Sequence, residues 1–255
     1  MFKIKKLKVL LIILVLVVAV LFYFTNIKSL TSGYLNSLSL GIARVDKEIL
    51  YAAQVYLPLR KSFDVELKVP FHKQEHALSC EIATLKMVLD YYGVPASEND
   101  LLRSLPFDTT EARNPENIWG NPDVGFVGDI NGKIPNSGYG VYENPIVNLA
   151  LQYRDAKKIK DATLADVLNE VDQKHPVIVW GSVGSGQDIS WLTQNGKYVK
   201  AVWGEHTRIV TGYSGTPENP KYILLMDPIY GKVIMSKNRF LTNWGLLGNK
   251  AVVIY

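Results

Sequence analysis

The longest apolar run of the chain lies close to its N-terminus and predicts a membrane-spanning helix. Residues 9–24, VLLIILVLVVAVLFYF, are 16 consecutive apolar residues, slightly fewer than the ~20 that usually span a bilayer. The flanking Lys8 and Lys28 can extend their ammonium groups to the interface. No small-residue cleavage site follows Phe24, which favours an uncleaved anchor over a cleaved signal peptide. Because lysines precede the run, we expect a single-pass cell-membrane protein with a cytoplasmic N-terminus and residues 29–255 outside the cytoplasm.

The clearest helix of the remaining chain begins after Ser79. Ser79 is expected to cap the N-terminus of this helix, and Gly93 stands where a left-handed residue usually ends one. Apolar side chains recur between these two residues at helical spacing: Ile82, Leu85, Val88, Leu89 and Tyr92. The pattern therefore predicts a helix whose first residue is Cys80.

The next stretch, residues 94–146, is rich in glycine and proline and has little periodicity. We predict that it is mostly an ordered loop, since it also carries several aromatic residues.

A second helix is predicted from Thr163, because the sequence TLAD fits a capping box. In this motif the side chains of Thr163 and Asp166 each accept a hydrogen bond from the backbone N–H of the other residue.

Six short apolar runs then follow one another with turn residues between them. They are VIVWGSV, KYVKAVW, HTRIVTGY, KYILLMD, GKVIM and NKAVVIY, and each predicts a strand. Helices that precede a series of adjacent strands indicate an α+β fold with a mostly antiparallel sheet. We divide the chain into a basic stub and anchor (1–28), a stalk or linker (29–64) and a folded domain (65–255).

The charge distribution argues against nucleic acid as a partner. The chain has 28 basic and 24 acidic residues, but five of the lysines lie in residues 1–28, which contain no acidic residue. The rest of the chain therefore has 28 − 5 = 23 basic and 24 acidic side chains. It has no basic excess with which to neutralise phosphates.

Cys80 is the only cysteine of the chain, so it cannot form an internal disulfide. It is a buried thiol, a metal ligand or a nucleophile. His72, His76 and Cys80 are spaced as i, i+4 and i+8, and all three are zinc-ligand types. A helix that begins only at Cys80 leaves both histidines in a loop, however, and we therefore predict neither a metal nor a cofactor.

The start of a helix favours the nucleophile. Unpaired backbone N–H groups and the helix dipole stabilise a thiolate there, so we expect Cys80 to be partly exposed, with a depressed pKa. The amide of Cys80 can hold an oxyanion, and Gln74, six residues upstream, can add a side-chain donor. His206 begins one predicted strand and Asp227 ends the next. If these strands pair antiparallel, the two residues become neighbours, as a base and its orienting carboxylate.

These segments resemble the papain-like cysteine peptidases of the bacterial double-glycine (bacteriocin) leader peptidase type, and in particular their stand-alone relatives. The resemblance rests on VPFHKQEHALSCEIATLKMVLDYYG, NPDVGFVGDINGK, GYGVYENPI, HPVIVWGSV, EHTRIVTGY and MDPIYGK, and extends over roughly residues 65–255. It implies a papain-like domain in which the cysteine helix packs on the sheet. It also implies that Cys80 is the nucleophile, His206 the base, Asp227 its orienter and Gln74 the oxyanion donor.

The expected function is that of a membrane-anchored extracytoplasmic cysteine peptidase that acts on a peptide or protein. Such leader peptidases are fused to an ABC transporter, which binds nucleotide through a phosphate-binding loop. GSVGSGQ at residues 181–187 lacks the ending of such a loop, and we identify no nucleotide-binding motif in the sequence. Two alternatives remain open. One is a binding module for a peptide or cell surface that has the same fold and no turnover. The other is acyl transfer by the same residues, with an amine in place of water.

Overall fold

The computed structural model describes residues 62–111 and 113–255. The predicted anchor at residues 1–28 and nearly all of the predicted stalk at 29–64 lie outside these described residues. Within the described ranges, no helix is both long and apolar enough to cross a membrane.

The described chain alternates short helices with strands. The first half contains β1 (Val65–Glu66), α1 (Cys80–Tyr91), α2 (Glu98–Ser104), β2 (Phe107–Asp108), β3 (Phe126–Val127), α3 (Glu143–Ala150), β4 (Ala156–Lys158) and α4 (Leu164–Asp172). The second half contains β5 (Val177–Ser182), β6 (Trp191–Leu192), β7 (Tyr198–Val199), β8 (Glu205–Gly215), β9 (Pro220–Asp227), β10 (Gly231–Ser236), α5 (Lys237–Gly245) and β11 (Ala251–Ile254).

One seven-stranded sheet organises the domain. Its strands lie in the order β10-β9-β8-β5-β11-β4, and β1 pairs with part of β8. All of its pairings are antiparallel. Helices α1 and α4 pack against β8, while α5 packs against β5 and β9. The predicted α+β class, with a cysteine-bearing helix on an antiparallel sheet, is confirmed.

Helix α1 is buried along almost its whole length because it lies at the centre of the core. Its apolar residues Ile82, Leu85, Met87, Val88 and Leu89 are all at most 1% exposed. The chain leaves the helix through Gly93, whose φ of 72° is left-handed, as the sequence predicted. The predicted capping box at Thr163 is also confirmed, with reciprocal bonds between Thr163 and Asp166.

The prediction of a mostly looped segment at residues 94–146 was wrong in part. Helix α2 lies within this segment, and its Ser97 cap accepts a hydrogen bond from the backbone N–H of Asp100. Helix α3 begins at Glu143, while β2 and β3 form a short parallel pair. Helix α2 has a single fully buried apolar residue, Leu101, so its sequence shows too little hydrophobic periodicity to predict it.

Candidate active site

Cys80 is the first residue of α1, as predicted, but the residue before it does not act as a conventional cap. Ser79 makes no side-chain hydrogen bond to the first turn. Its hydroxyl donates instead to the buried carboxylate of Glu98 and accepts from the backbone N–H of His76. Glu98 also accepts from the backbone N–H of Glu75 at 3.1 Å and lies 2.7 Å from His72 Nε2. One carboxylate thus ties the loop before α1 to the start of that helix.

His206 and Asp227 are brought together by the pairing of β8 with β9, as predicted. Ile209 pairs with Met226, which sets Arg208 opposite Asp227 and His206 two residues further along the same face. His206 Nε2 lies 3.1 Å from Asp227 Oδ2. The carboxylate therefore faces one imidazole nitrogen and leaves Nδ1 as the nitrogen that can serve a reacting group.

Asp227 is held in its ionised form. Its Oδ1 accepts from the backbone N–H groups of Ile229 (2.8 Å) and Tyr230 (3.1 Å), and Arg208 Nε donates to Oδ2 at 2.8 Å. Burial by itself raises the pKa of a carboxyl group, but the charges of His206 and Arg208 and these hydrogen bonds outweigh it and hold the pKa of Asp227 well below its usual range. Burial lowers the pKa of His206, and the attraction of Asp227 only partly offsets this effect.

The expectation of a partly exposed Cys80 with a depressed pKa was wrong. The residue is 4% exposed. Burial raises the pKa of its thiol well above the ordinary value, the negative charges of Glu81 and Glu205 add to this, and hydrogen bonds to Thr207 oppose it. The thiol donates its hydrogen bond to Glu81 Oε2, at 3.2 Å, and not to His206. The effects of burial and of two neighbouring acids on the thiol pKa therefore outweigh the effect of the helix start.

Sequence reasoning missed those two acids. Glu81 and Glu205 are 0% and 4% exposed, and one carboxylate oxygen of each lies within 4.8 Å of the other and of Cys80 Sγ. The signals were available, since Glu81 interrupts a buried helix next to the cysteine and Glu205 directly precedes His206. The backbone N–H of Val141 donates to Glu81 Oε1 at 2.6 Å, whereas Glu205 Oε1 is buried without a hydrogen-bond partner.

Gln74 lines the same cleft as Cys80, but its amide hydrogens are engaged. Nε2 donates to the carbonyl oxygens of His76 (2.8 Å) and Ala77 (3.0 Å). The backbone N–H of Gln74 donates to the carbonyl of Pro228, at 3.0 Å, which joins this loop to the turn that follows Asp227. The loop that carries Gln74 is therefore positioned by the same turn whose backbone N–H groups hold the carboxylate of Asp227.

A cleft of about 330 Å³ unites these groups. Gln74, Cys80 and His206 all line it, and Asp227 lies behind His206. Its remaining walls are largely apolar, with Leu78, Ile134, Tyr139, Val183, Trp203 and Ile229 among the lining residues. Trp203 and Val183 are exposed side chains, so the cleft offers an apolar surface beside the polar residues.

The three candidate zinc ligands have separate partners. His72 contacts Glu98, the Nδ1 of His76 lies 3.2 Å from Asn131 Oδ1, and Cys80 contacts Glu81. The alternative in which His72, His76 and Cys80 share one metal therefore has no geometric support in the described part of the chain.

Comparisons with known proteins agree with this architecture. The family model for the Peptidase_C39 like family matches residues 66–252. Over 185 residues the chain is 33% identical to the uncharacterized protein YvpB of Bacillus subtilis (strain 168), which covers 69% of this chain and 68% of the relative. The crystal structure of a "putative C39-like peptidase" from Bacillus anthracis superposes with a TM-score of 0.65 and 25% identity, over 76% of this chain and 98% of that one.

Another solved peptidase domain is less similar to this chain. The peptidase domain of Streptococcus ComA, a bifunctional ABC transporter involved in quorum sensing, has a TM-score of 0.45 and 17% identity, over 73% of this chain and 97% of that one. The match over residues 66–252, which includes the cysteine helix and the strands of His206 and Asp227, shows that the chain belongs to the Peptidase_C39 like family.

Proposed function

We propose that this protein is a cysteine peptidase that hydrolyses amide bonds of a peptide or protein, with Cys80 as nucleophile and His206 as base. The observation that carries the proposal is the His206–Asp227 pair, 3.1 Å apart, at a cleft that Cys80 and Gln74 also line. Membership of a peptidase family supports the same chemistry. The proposal includes anchoring through residues 1–28, with the domain outside the cytoplasm, because of the apolar run and its preceding lysines.

The chemistry proceeds in two halves. The thiol gives its proton to His206 Nδ1, and the sulfur attacks the carbonyl carbon to form a C–S bond and an oxyanion. The imidazolium then protonates the leaving amine as the C–N bond breaks, which leaves a thioester on Cys80. Water gives a proton to His206 and its oxygen to the acyl carbon, and the proton returns to the sulfur as the carboxylic acid leaves. Asp227 keeps the imidazole oriented and stabilises its charged form.

The oxyanion is stabilised by groups at the start of α1. The backbone N–H of Cys80 has no acceptor within its own helix because it lies in the first turn. Gln74 adds a side-chain donor once its hydrogen bonds to His76 and Ala77 are exchanged for the substrate oxygen. Catalytic hydrogen bonds frequently form only when substrate binds, and a carbonyl group in the cleft replaces the acceptors that Gln74 loses.

The walls of the cleft favour apolar side chains of the substrate. Leu78, Ile134 and Trp203 offer apolar contacts, and Lys133 also lines the cleft. Burial of apolar side chains of the substrate on this surface supplies binding free energy in proportion to the area covered.

Activity-based labelling of the full-length protein in detergent micelles tests the proposal. A peptide vinyl sulfone with apolar side chains should form one covalent adduct on Cys80, located by mass spectrometry, and Cys80→Ala should form none. A library of unmodified peptides should be cleaved by the wild type alone.

Two outcomes separate the alternatives. Saturable binding of the probe's parent peptide without an adduct or cleavage would indicate a binding module. Formation of amide products with an added amine, at the expense of hydrolysis, would indicate acyl transfer.

A further inference from the structure

Two buried acids lie close to the sulfur of Cys80 and have no role in the mechanism above. Cys80 Sγ, Glu81 and Glu205 each place one polar atom within 4.8 Å of the others, and all three side chains are buried. The backbone of Gly140 fits between the two acids, since a Cβ added there would lie 2.5 Å from Glu81 Oε1 and 2.6 Å from Glu205 Oε2. Two carboxyl groups and a thiol therefore share one small interior space.

We propose that Glu81 and Glu205 form a proton-holding carboxyl pair, in which protonated Glu81 stabilises the thiolate of Cys80 and Glu205 positions Glu81. The inference deepens the proposed function, on which it rests for the role of Cys80. By touching the reacting sulfur, Glu81 becomes a catalytic residue, while Glu205 acts through it.

The first step of the argument is the contact between sulfur and carboxyl group. The thiol now donates to Glu81 Oε2 at 3.2 Å. When the thiol loses its proton, an ionised Glu81 at this distance repels the thiolate, whereas a protonated Glu81 donates an O–H···S⁻ hydrogen bond to it. An ionised Glu81 also accepts the hydrogen bond that the thiol donates and so favours the protonated form of Cys80. Both effects make protonated Glu81 the form compatible with a thiolate.

The second step is that the surroundings keep protons on the pair. Glu81 receives one backbone N–H, from Val141, and Glu205 Oε1 receives none. Burial raises the pKa of Glu81 to about 7. Burial and the charge of Glu81 raise the pKa of Glu205 well above its ordinary value, and only Arg208 opposes this. Two such buried acids so close together cannot both ionise readily.

Charged and titratable groups face the pair from each neighbouring element. They are Cys80 from α1, Tyr139 and Tyr142 from the segment before α3, and Arg208 from β8. The tyrosines stay neutral because burial raises the pKa of each phenol well above its ordinary value. Arg208 is already bonded to Asp227. The negative charge of Glu81 and Glu205 is therefore neutralised mostly by protons on the two carboxyl groups themselves.

Alkylation tests the inference without any substrate. Cys80 is the only cysteine, so the iodoacetamide reaction of the full-length protein reports on it alone. Thiol alkylation ordinarily rises steadily with pH as thiolate forms. We expect the wild-type rate to rise much less steeply for about one pH unit above pH ~7, where Glu81 ionises, and the Glu81→Gln rate to rise without this inflection. The ratio of the Glu81→Gln rate to the wild-type rate should grow about tenfold between pH ~6 and ~9, a coupling of about one pKa unit.

The control is Glu218→Gln, which removes an exposed carboxylate in the β8–β9 turn and should match the wild-type profile. Parallel profiles for wild type and Glu81→Gln would overturn the inference.

Infrared spectroscopy gives an independent measurement should Glu81→Gln not fold. At pH ~6 the wild type should show a buried protonated carboxyl band that weakens as the pH passes ~7 and is reduced in Glu205→Gln. Absence of that band from the wild type would also overturn the inference. Because neither experiment needs turnover, a protein that cleaves no peptide but shows both signatures refutes the peptidase proposal and leaves the carboxyl pair standing.

Discussion

Arg208 and Asp227 form a buried ion pair directly behind the candidate base. Arg208 Nε donates at 2.8 Å to Oδ2 of Asp227, the same oxygen that lies 3.1 Å from His206 Nε2. The two residues are 3% and 0% exposed. One carboxylate oxygen therefore contacts both the buried cation and the imidazole, so that folding and the proposed catalysis depend on the same atom.

Asp227→Asn should impair both stability and turnover. The substitution leaves the charge of Arg208 buried without its partner, and breaking a buried pair in this way costs about 3–5 kcal/mol. It also misorients His206 and lowers kcat, though less than deletion of the base does. Denaturant unfolding and peptide kinetics measure the two effects. The matched variant Lys232→Gln removes a surface ion pair with Glu66 and should change the free energy of unfolding by less than about 1 kcal/mol.

Cys80→Ala should abolish turnover and retain binding of the substrate peptide, because the thiol forms the covalent intermediate while the cleft walls hold the peptide. His206→Ala should be nearly as severe. The double variant should be no worse than either single one, since residues that act as a unit have non-additive effects. Turnover by Cys80→Ala at the wild-type rate would falsify the mechanism.

Gln74→Ala should lower kcat by about 10²–10³ with little change in KM, as the loss of one oxyanion donor does. Gln74→Glu is the matched control: it keeps the size of the side chain but replaces the donor with an acceptor, and it should be at least as impaired. An unchanged kcat in both variants would show that the hydrogen bonds from Gln74 to His76 and Ala77 persist during catalysis and that Gln74 is structural.

The stability of the protein should depend on the protonation of Glu81. Its pKa is raised from the ordinary 4.5 to about 7 in the folded state, so the folded protein binds a proton that the unfolded chain releases. The stabilisation is therefore fully present below pH ~4.5 and is lost as the pH rises to ~7. Across this window the Tm of the wild type should fall relative to that of Glu81→Gln. A difference between their Tm values that stays constant with pH would contradict the raised pKa of Glu81.

The membrane topology remains a prediction for residues outside the described chain. Protease added to intact cells should digest the domain that follows residue 29 and spare the anchor, because the lysines before the apolar run favour a cytoplasmic N-terminus. Mass spectrometry of the cell-associated remainder identifies the spared segment. Release of an intact fragment that begins near residue 30, without protease, would show a cleaved signal peptide instead.

Much of the site could be predicted because it depends on local patterns. The periodicity around Ile82 located the cysteine helix, and two adjacent strands with a short turn were enough to pair His206 with Asp227. What could not be predicted depends on contacts distant in sequence. Glu98 diverts Ser79 from its capping role, and the proximity of Glu81 to Glu205 requires α1 to be packed on β8. The burial that raises the thiol pKa is likewise a property of the assembled core.

The buried, protonated state of Cys80 has a consequence for the chemical durability of the protein. Peroxides and disulfides react with thiolates and only slowly with neutral thiols. A thiol that is 4% exposed and hydrogen-bonded to Glu81 is therefore shielded from irreversible oxidation. The thiol can therefore persist in an oxidising environment. We expect the sulfur to become sensitive to oxidation chiefly under the conditions that also make it reactive toward an acyl group.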